Sequence, residues 1–457
     1  MFKKIEIWIL YLVIVFSLLF SFVPSIILQI YYAHDKKIPG LTTTIQFISD
    51  LPVKIADLIF LRENGVIVSE KGKPWRYNEK IISALRNSNH NAIGRNHTKS
   101  MYLLSSGYDV KLEKVVIDII NLNTFEVEHK IVPNYEEIKK HLNPYIIYTK
   151  TAKKGTRHTY AQAPLITPDG GIVFQAKALV KIKSNGEIDW INAEKEFHHS
   201  INIDSNGNIW APTRNYPFTL KGIKSEKSFF EDAITCVSPD GDIIFDRSLV
   251  DILFNNNMAD KLFINHGFKK LKKDPIHLND IEPVFEDGRY WKKGDLFLSL
   301  RHMSMVLLYR PSNDSIVWYS KGTLNQQHDV DIISGNEISI FNNNTFVYKD
   351  NKRIKSNNKI TIYNFDTNQF RSYNKEGFDK YKIRTATQGL HTLLESGELY
   401  VEETDKGRHL FFDYDGNLVW EIFNYSKDKN LFYKYNWSTL IHKESQIKQI
   451  QQFLDKQ

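Results

Sequence analysis

Ser238-Pro-Asp-Gly-Asp-Ile-Ile-Phe245 reads as a tight turn feeding an apolar strand. Asp-Gly at such a centre is a strong hairpin signal, because two-residue hairpin turns require residues that tolerate positive φ. The phrase recurs as Thr167-Pro-Asp-Gly-Gly-Ile-Val-Phe174, Asp204-Ser-Asn-Gly-Asn-Ile-Trp210 and Asp413-Tyr-Asp-Gly-Asn-Leu-Val-Trp420. Lys183-Ser-Asn-Gly-Glu-Ile-Asp-Trp190 and Pro311-Ser-Asn-Asp-Ser-Ile-Val-Trp318 belong to the same set. A second class of segment alternates with these and opens on histidine: His199-Ser-Ile-Asn-Ile-Asp, His277-Leu-Asn-Asp-Ile-Glu-Pro, His328-Asp-Val-Asp-Ile-Ile and His391-Thr-Leu-Leu-Glu. Two hairpins make a four-stranded sheet, and several such sheets in series imply a β-propeller. A large β-sandwich predicts no such recurrence.

The units begin near Lys99, Ala161, His199, His277, His328 and His391, which makes an all-β, six-bladed propeller over residues 99–430. Polar insertions at 216–232 and 255–273 map to loops on one face. Pro133 to Leu142 reads as helical, and 431–457 as a helical tail ending in Glu444 to Leu454.

Composition fits a folded β protein. Hydrophobic residues make up 42% and charged residues 25%, with Phe 28, Tyr 23 and Trp 8 favouring strands. The net charge of +7 comes with no basic cluster of nucleic-acid type, so no nucleic-acid partner is expected. Cys236 is the single cysteine, which excludes an intrachain disulfide and a thiolate metal site.

Residues 7–32 carry no charge and are dominated by Ile, Leu, Val and Phe. The run exceeds the ~20 residues that span a bilayer core, and it lacks the short apolar core and small-residue cleavage site of a signal peptide. Residues 1–35 therefore read as an uncleaved transmembrane helix. Lys3 and Lys4 favour a cytoplasmic N-terminus, against Lys36 and Lys37 on the far side. The remainder is then expected outside the cytoplasm, periplasmic or extracellular. Residues 36–98 read as a stalk helix (50–62) and a polar linker.

Each inner strand of a propeller lines the channel, so His199, His277, His328 and His391 are expected to converge at one mouth. For a single histidine a hydrogen-bonded strand end is the simpler explanation; four at matched positions argue for a shared site. His198 competes with His199 for the inward position. Arg301 ends the strand Asp295-Leu-Phe-Leu-Ser-Leu in the unit of His277 and offers a planar fork to a tetrahedral oxyanion. An ion pair with Asp280 or Glu282 is its structural alternative. Asn279, two residues after His277, adds a neutral donor on the same expected face.

His277-Leu-Asn-Asp-Ile-Glu-Pro, Leu298-Ser-Leu-Arg301, Ile316-Val-Trp, Gln327-His328-Asp329 and Phe341-Asn-Asn together resemble the core of the bacterial arylsulfotransferase family, with weaker similarity from about Thr159 to Trp420. The resemblance implies a six-bladed propeller that moves a sulfuryl group from an aryl sulfate to a phenolic acceptor, without a nucleotide sulfate donor or other cofactor. It implies that His328 is the nucleophile, that His277, Asn279 and Arg301 hold the sulfuryl oxygens, and that His199 assists proton transfer or binding. Gln388 and His391, where the last blade approaches the channel, are implied as substrate contacts. Two other classes compete: a four-histidine metal oxygenase, disfavoured by Arg301 and Asn279 at the same place, and a non-catalytic propeller that binds a glycan or protein through the same mouth.

Overall fold

The computed structural model describes residues 77–142 except 89 and 98, 160–215, and 229–457 except 267, 272, 321 and 349–351, together with a short strand pair, Ser69–Glu70 with Lys73–Pro74. The apolar run at 7–32 and the helix expected at 50–62 lie outside the described residues. Among the described residues, no helix is long and apolar enough to cross a membrane.

Six antiparallel sheets follow one another as the blades of a propeller. Blade 2 is Gln162–Ile166, Ile172–Gln175, Leu179–Ile182 and Ile188–Asn192, read from the inside outward. In blade 3 the inner position is shared by Glu196–Phe197 and Asn202–Ile203, both paired with Ile209–Asn215, and Glu231–Val237 and Ile243–Ser248 lie outside them. Blade 4 is Leu278–Pro283, Leu296–Leu300, Met305–Arg310 and Ser315–Tyr319. Blade 5 is His328–Ser334, Glu337–Asn342, Lys359–Asn364 and Gln369–Tyr373, with the hairpin Thr345–Tyr348 and Lys352–Lys355 inserted at its mouth end. Blade 6 is Leu390–Leu393, Leu399–Glu403, Arg408–Phe412 and Leu418–Phe423. The expected unit starts fall within a few residues of these inner strands, because each turn phrase marks a local hairpin.

Blade 1 is where sequence and structure part. Tyr102–Asp109, Lys114–Asn121 and Glu126–Ile131 supply three strands, and the inner one is Thr439–Ile441 from the far end of the chain. Residues 431–457 are thus only partly a helical tail: Thr-Leu-Ile closes the ring, and only Glu444–Leu454 forms the expected helix. That helix buries Ile450 and Phe453 against the core between blades 1 and 2. The N-terminal side adds a second clasp. Ala92–Gly94 extends blade 6 as a fifth strand, pairing with Trp420 to Ile422. The expected polar linker also contains a helix, Glu79–Asn87, capped by Asn78 and packed through Ile82 and Leu85 onto Phe423, Tyr425 and Phe432. Closure from both ends removes the exposed strand edges that an open sheet would present.

The second and third strands of the blades are buried on both faces, as in Glu231–Val237 and Leu296–Leu300, whereas the outer Ile243–Ser248 alternates. In the opening phrase Gly241 has φ +97, and a Cβ there would meet the Trp190 ring at 2.9 Å. Both the turn and the contact with blade 2 require glycine.

Candidate active site

Carboxylates tie each of four blades to the next. Asp232 Oδ2 accepts Leu278 N–H, Asp280 Oδ2 accepts Val330 N–H, Asp329 Oδ2 accepts His391 N–H, and Glu402 accepts Trp437 and Ser438 N–H. At the same strand entries the backbone turns through the left-handed region, at His199 (φ 64), His277 (φ 57), Asp329 (φ 45), Gln388 (φ 57) and Trp437 (φ 57). Such conformations cost a non-glycine residue about 1 kcal/mol or more and persist only where surrounding contacts enforce them. At the entries of blades 4, 5, 6 and 1 the inter-blade carboxylate bonds supply such contacts.

The entries bring three of the four predicted histidines together. The His199 ring centre lies 4.8 Å from that of His277 and 6.3 Å from that of His328, and the Trp437 ring stands 6.1 Å from both His199 and His328. His198 is not a rival of His199 but its neighbour in the same cluster, with their Nδ1 atoms 2.7 Å apart.

His328 is 1% exposed and its tautomer follows from its partners. Nδ1 lies 2.6 Å from Asn343 Oδ1, an acceptor, so Nδ1 carries the hydrogen. Nε2 accepts the Gln388 backbone N–H at 3.1 Å and therefore holds a lone pair. Asn343 is itself fixed by donating to Gln388 O and Thr385 O. Burial pushes the His328 pKa well below the usual histidine value, and the Arg301 charge adds to the effect. The ring is neutral at neutral pH.

Arg301 starts a short 3-10 turn directly after the strand Leu296–Leu300. Its Nη1 donates to His302 Nε2 (2.6 Å) and its Nη2 to Gln326 Oε1 (2.9 Å). His302 Nδ1 donates to Asp274 O, and the Asp274 carboxylate lies 2.7 Å from His277 Nδ1. Burial lowers the His277 pKa to about 4 against the pull of Asp274. The Asp274 carboxyl is held far below its usual range: burial alone would raise it, but hydrogen bonds from His277 and His302 prevail. The donor atoms of Asp274, His277 and His302 are mutually within 4.8 Å, but a guanidinium on His302 Nε2 opposes a cation there.

Two predicted contacts are used differently. Asn279 is fully buried and donates to Gln327 O, bracing the residue before His328 instead of facing the mouth. A bulge between Leu278 and Asp280 breaks the two-residue alternation on which its expected orientation rested. His391 does not join the other histidines. Its Nδ1 lies 2.6 Å from Asp329 Oδ2 and its Nε2 2.8 Å from Ser339 Oγ, with the ring fully buried. A four-histidine metal centre is therefore not formed. His391 belongs to an acidic zone of the channel, where burial pushes Asp280 up to about 6 and raises Glu282, Asp329 and Asp331 well above the carboxylate range. Asp329, Asp331 and His391 likewise place donor atoms within 4.8 Å of one another, close enough to hold a cation.

Sequence reasoning missed Asp232, Asp274, His302 and Gln326, and gave Asn343 no role although it sits in the quoted Phe341-Asn-Asn. No local signal marks the first four. Cavities of about 890, 700 and 110 Å³ lie elsewhere and contain none of the clustered histidines.

Fold and site together define a six-bladed propeller with imidazoles and a guanidinium gathered at the channel. The chain belongs to the arylsulfotransferase (ASST) family, whose model matches residues 176–425, a span that holds every residue of the cluster except Trp437. No curated protein matches it. Similar solved structures include a protein of unknown function from Bacteroides caccae, at 15% identity over 76% of this chain and 100% of that one, with a TM-score of 0.46. The RRP9 WD40 repeats (10% identity, 57% and 62%, TM-score 0.33) and a nidogen/laminin complex (9%, 75% and 98%, 0.39) are further likenesses.

Proposed function

We propose that this protein transfers a sulfuryl group from an aryl sulfate to a phenolic or other hydroxyl acceptor, through a covalent intermediate on His328 Nε2. The observation that carries the reading is the His328 tautomer: Asn343 holds Nδ1–H, leaving the Nε2 lone pair available beside a cationic Arg301. A neutral imidazole is a competent nucleophile, and its Nε2 accepts the Gln388 N–H, which must open for attack. As sulfur bonds to Nε2, positive charge spreads to Nδ1–H, where the Asn343 oxygen stabilises it. Arg301, which donates to the His302 and Gln326 side chains, is suited to the sulfuryl oxygens and to charge developing on the leaving oxygen. His277 and His199, in contact through their Nε2 atoms at 3.2 Å, supply the proton transfer. The apolar run at 7–32 favours an anchored enzyme working outside the cytoplasm.

Incubation with an aryl sulfate followed by intact-mass analysis tests the proposal. The expected result is one added sulfuryl group per chain, mapped to His328, released by a phenol and absent in His328→Ala. No adduct and no phenol release across a panel of donors would favour the binding-module reading.

A further inference from the structure

Five side chains run in unbroken contact through the cluster. Asp274 Oδ2 is 2.7 Å from His277 Nδ1, His277 Nε2 is 3.2 Å from His199 Nε2, His199 Nδ1 is 2.7 Å from His198 Nδ1, and His198 Nε2 is 3.4 Å from Asp232 Oδ1. Each contact joins two atoms that repel unless a hydrogen lies between them. Three neutral imidazoles carry three such hydrogens, and four contacts need four. With only three, lone pair faces lone pair at one place. His198 Nε2 and Asp232 Oδ1, both buried and 3.4 Å apart, make no hydrogen bond to any group among the described residues, and a proton between them would satisfy both.

We propose that Asp274, His277, His199, His198 and Asp232 form one relay holding a single proton beyond three neutral imidazoles, which it lends to the leaving oxygen and recovers from the acceptor. The chemistry rests on the sulfuryl-transfer reading of His328; the proton count does not. Other charged groups facing the relay are Arg214, 3.8 Å from Asp232 and 3.3 Å from Glu196, Lys177 paired with Glu196, and Arg301 and His302 beside His277. His328 faces His199. Burial favours the neutral form of all three rings, helped by Arg214 at His198 and by the neighbouring imidazoles at His199, while Asp232 and Glu196 favour charge at His198 and Asp274 favours it at His277. Two terminal carboxylates balance one shared positive charge.

The steps balance. His328 Nε2 bonds to sulfur as the sulfur–aryl oxygen bond breaks, its electron pair leaving on the phenolate oxygen, which takes the proton held between His277 and His199. The acceptor hydroxyl then loses its proton to the relay as its oxygen bonds to sulfur, and the nitrogen–sulfur pair returns to His328.

Histidine-directed ¹⁵N NMR of the whole protein, assigned by single His→Gln variants, counts the charge directly. One imidazolium shared by His198, His199 and His277 is expected to persist above the ordinary histidine range near pH ~6.5. Asp232→Asn is expected to abolish it, since the new amide N–H supplies the fourth hydrogen while its oxygen keeps Leu278 N–H; Asp274→Asn serves as the second variant. Both variants should also lose about 100-fold in rate with poor phenol leaving groups and little with nitrophenyl sulfate. A wild-type cluster without an imidazolium, a charge unchanged in both asparagine variants, or equal losses across leaving groups would overturn the relay. Absence of the His328 adduct beside an intact imidazolium would instead overturn only the transfer reading.

Discussion

Asn343→Ala is the sharpest perturbation of the proposed nucleophile. The substitution removes the acceptor 2.6 Å from His328 Nδ1 and the donor 2.7 Å from Gln388 O. Thr385 O is not orphaned, because Asn358 Nδ2 also donates to it at 2.9 Å. The buried His328 Nδ1–H is thus left unpaired, at about 1–3 kcal/mol, and the half-buried Gln388 O loses a partner at a smaller cost. The kinetic effect is separate. The bond to Nδ1–H is neutral in the resting enzyme and charge-assisted once sulfur is attached, a gain of about 1–1.5 kcal/mol that the variant forfeits. Loss of that gain slows adduct formation about 10-fold, and a ring free to turn loses more, to about 100-fold.

Rapid quenching with a saturating aryl sulfate, followed by intact-mass analysis, measures adduct formation per folded molecule. Asn358→Ala is the control. It removes neighbouring bonds to Asn343 O and Thr385 O without touching His328, so stability should fall while the adduct rate holds. An Asn343→Ala enzyme that forms adduct at the wild-type rate would refute the tautomer argument. Equal slowing in both variants would refute it too, by showing that looseness of the loop is the cause.

Four further outcomes follow from the geometry. Arg301→Lys retains charge but not the planar fork to His302 and Gln326, and should slow adduct formation about 100-fold, read by the same quench. Leu440→Ala, in the strand that closes the ring, should cost about 2–5 kcal/mol in denaturant unfolding, an unusual price for a residue so near the chain end. Burial lowers the pKa of His328 and of His409 well below the histidine value. The unfolded chain then takes up their protons first, so their contribution is complete above pH ~6.5 and declines as pH falls below it, visible as proton uptake on unfolding near pH 5. Asp331 is opposite in sign: its raised pKa penalises the folded state as pH rises past the ordinary carboxylate range, so Asp331→Asn should raise the melting temperature at pH 7.5 and leave it unchanged at pH 3. A melting temperature that falls at pH 7.5 would refute this, the attraction of His391 and Lys443 then outweighing burial.

What could be read from the chain follows the range of the interactions. Asp-Gly turns and the apolar runs after them act over a few residues, so the blade starts were legible from Ala161 to His391. The Thr439–Ile441 strand was not, because three residues carry no periodicity and its partner lies more than 300 residues away. The same division runs through the site. His199, His277, His328 and Arg301 were legible because the chain repeats a histidine phrase and ends a strand on arginine. Asp232 and Asp274 were not, since their roles exist only where one blade meets the next. Asn279 and His391 were misplaced for a local reason: a bulge and a left-handed turn rotate side chains that simple alternation assigns to the mouth.

The inter-blade carboxylates explain why chemistry and architecture cannot be separated in this ring. Asp232 spends one oxygen on the Leu278 N–H, which sets blade 4 against blade 3, and turns the other toward His198. Asp329 receives both the His391 N–H and its imidazole, which draws that histidine into the acidic zone. A carboxylate that holds the next strand entry in a left-handed turn therefore also decides which way the entry side chain faces. Where the turn residue is His277, the imidazole meets His199 at the mouth. At the blade 5 entry the turn residue is Asp329, one position later, and His328 is held back against Asn343 with its lone pair under the Gln388 N–H. One shift of register along a repeated phrase separates the histidine proposed to handle protons from the one proposed as nucleophile.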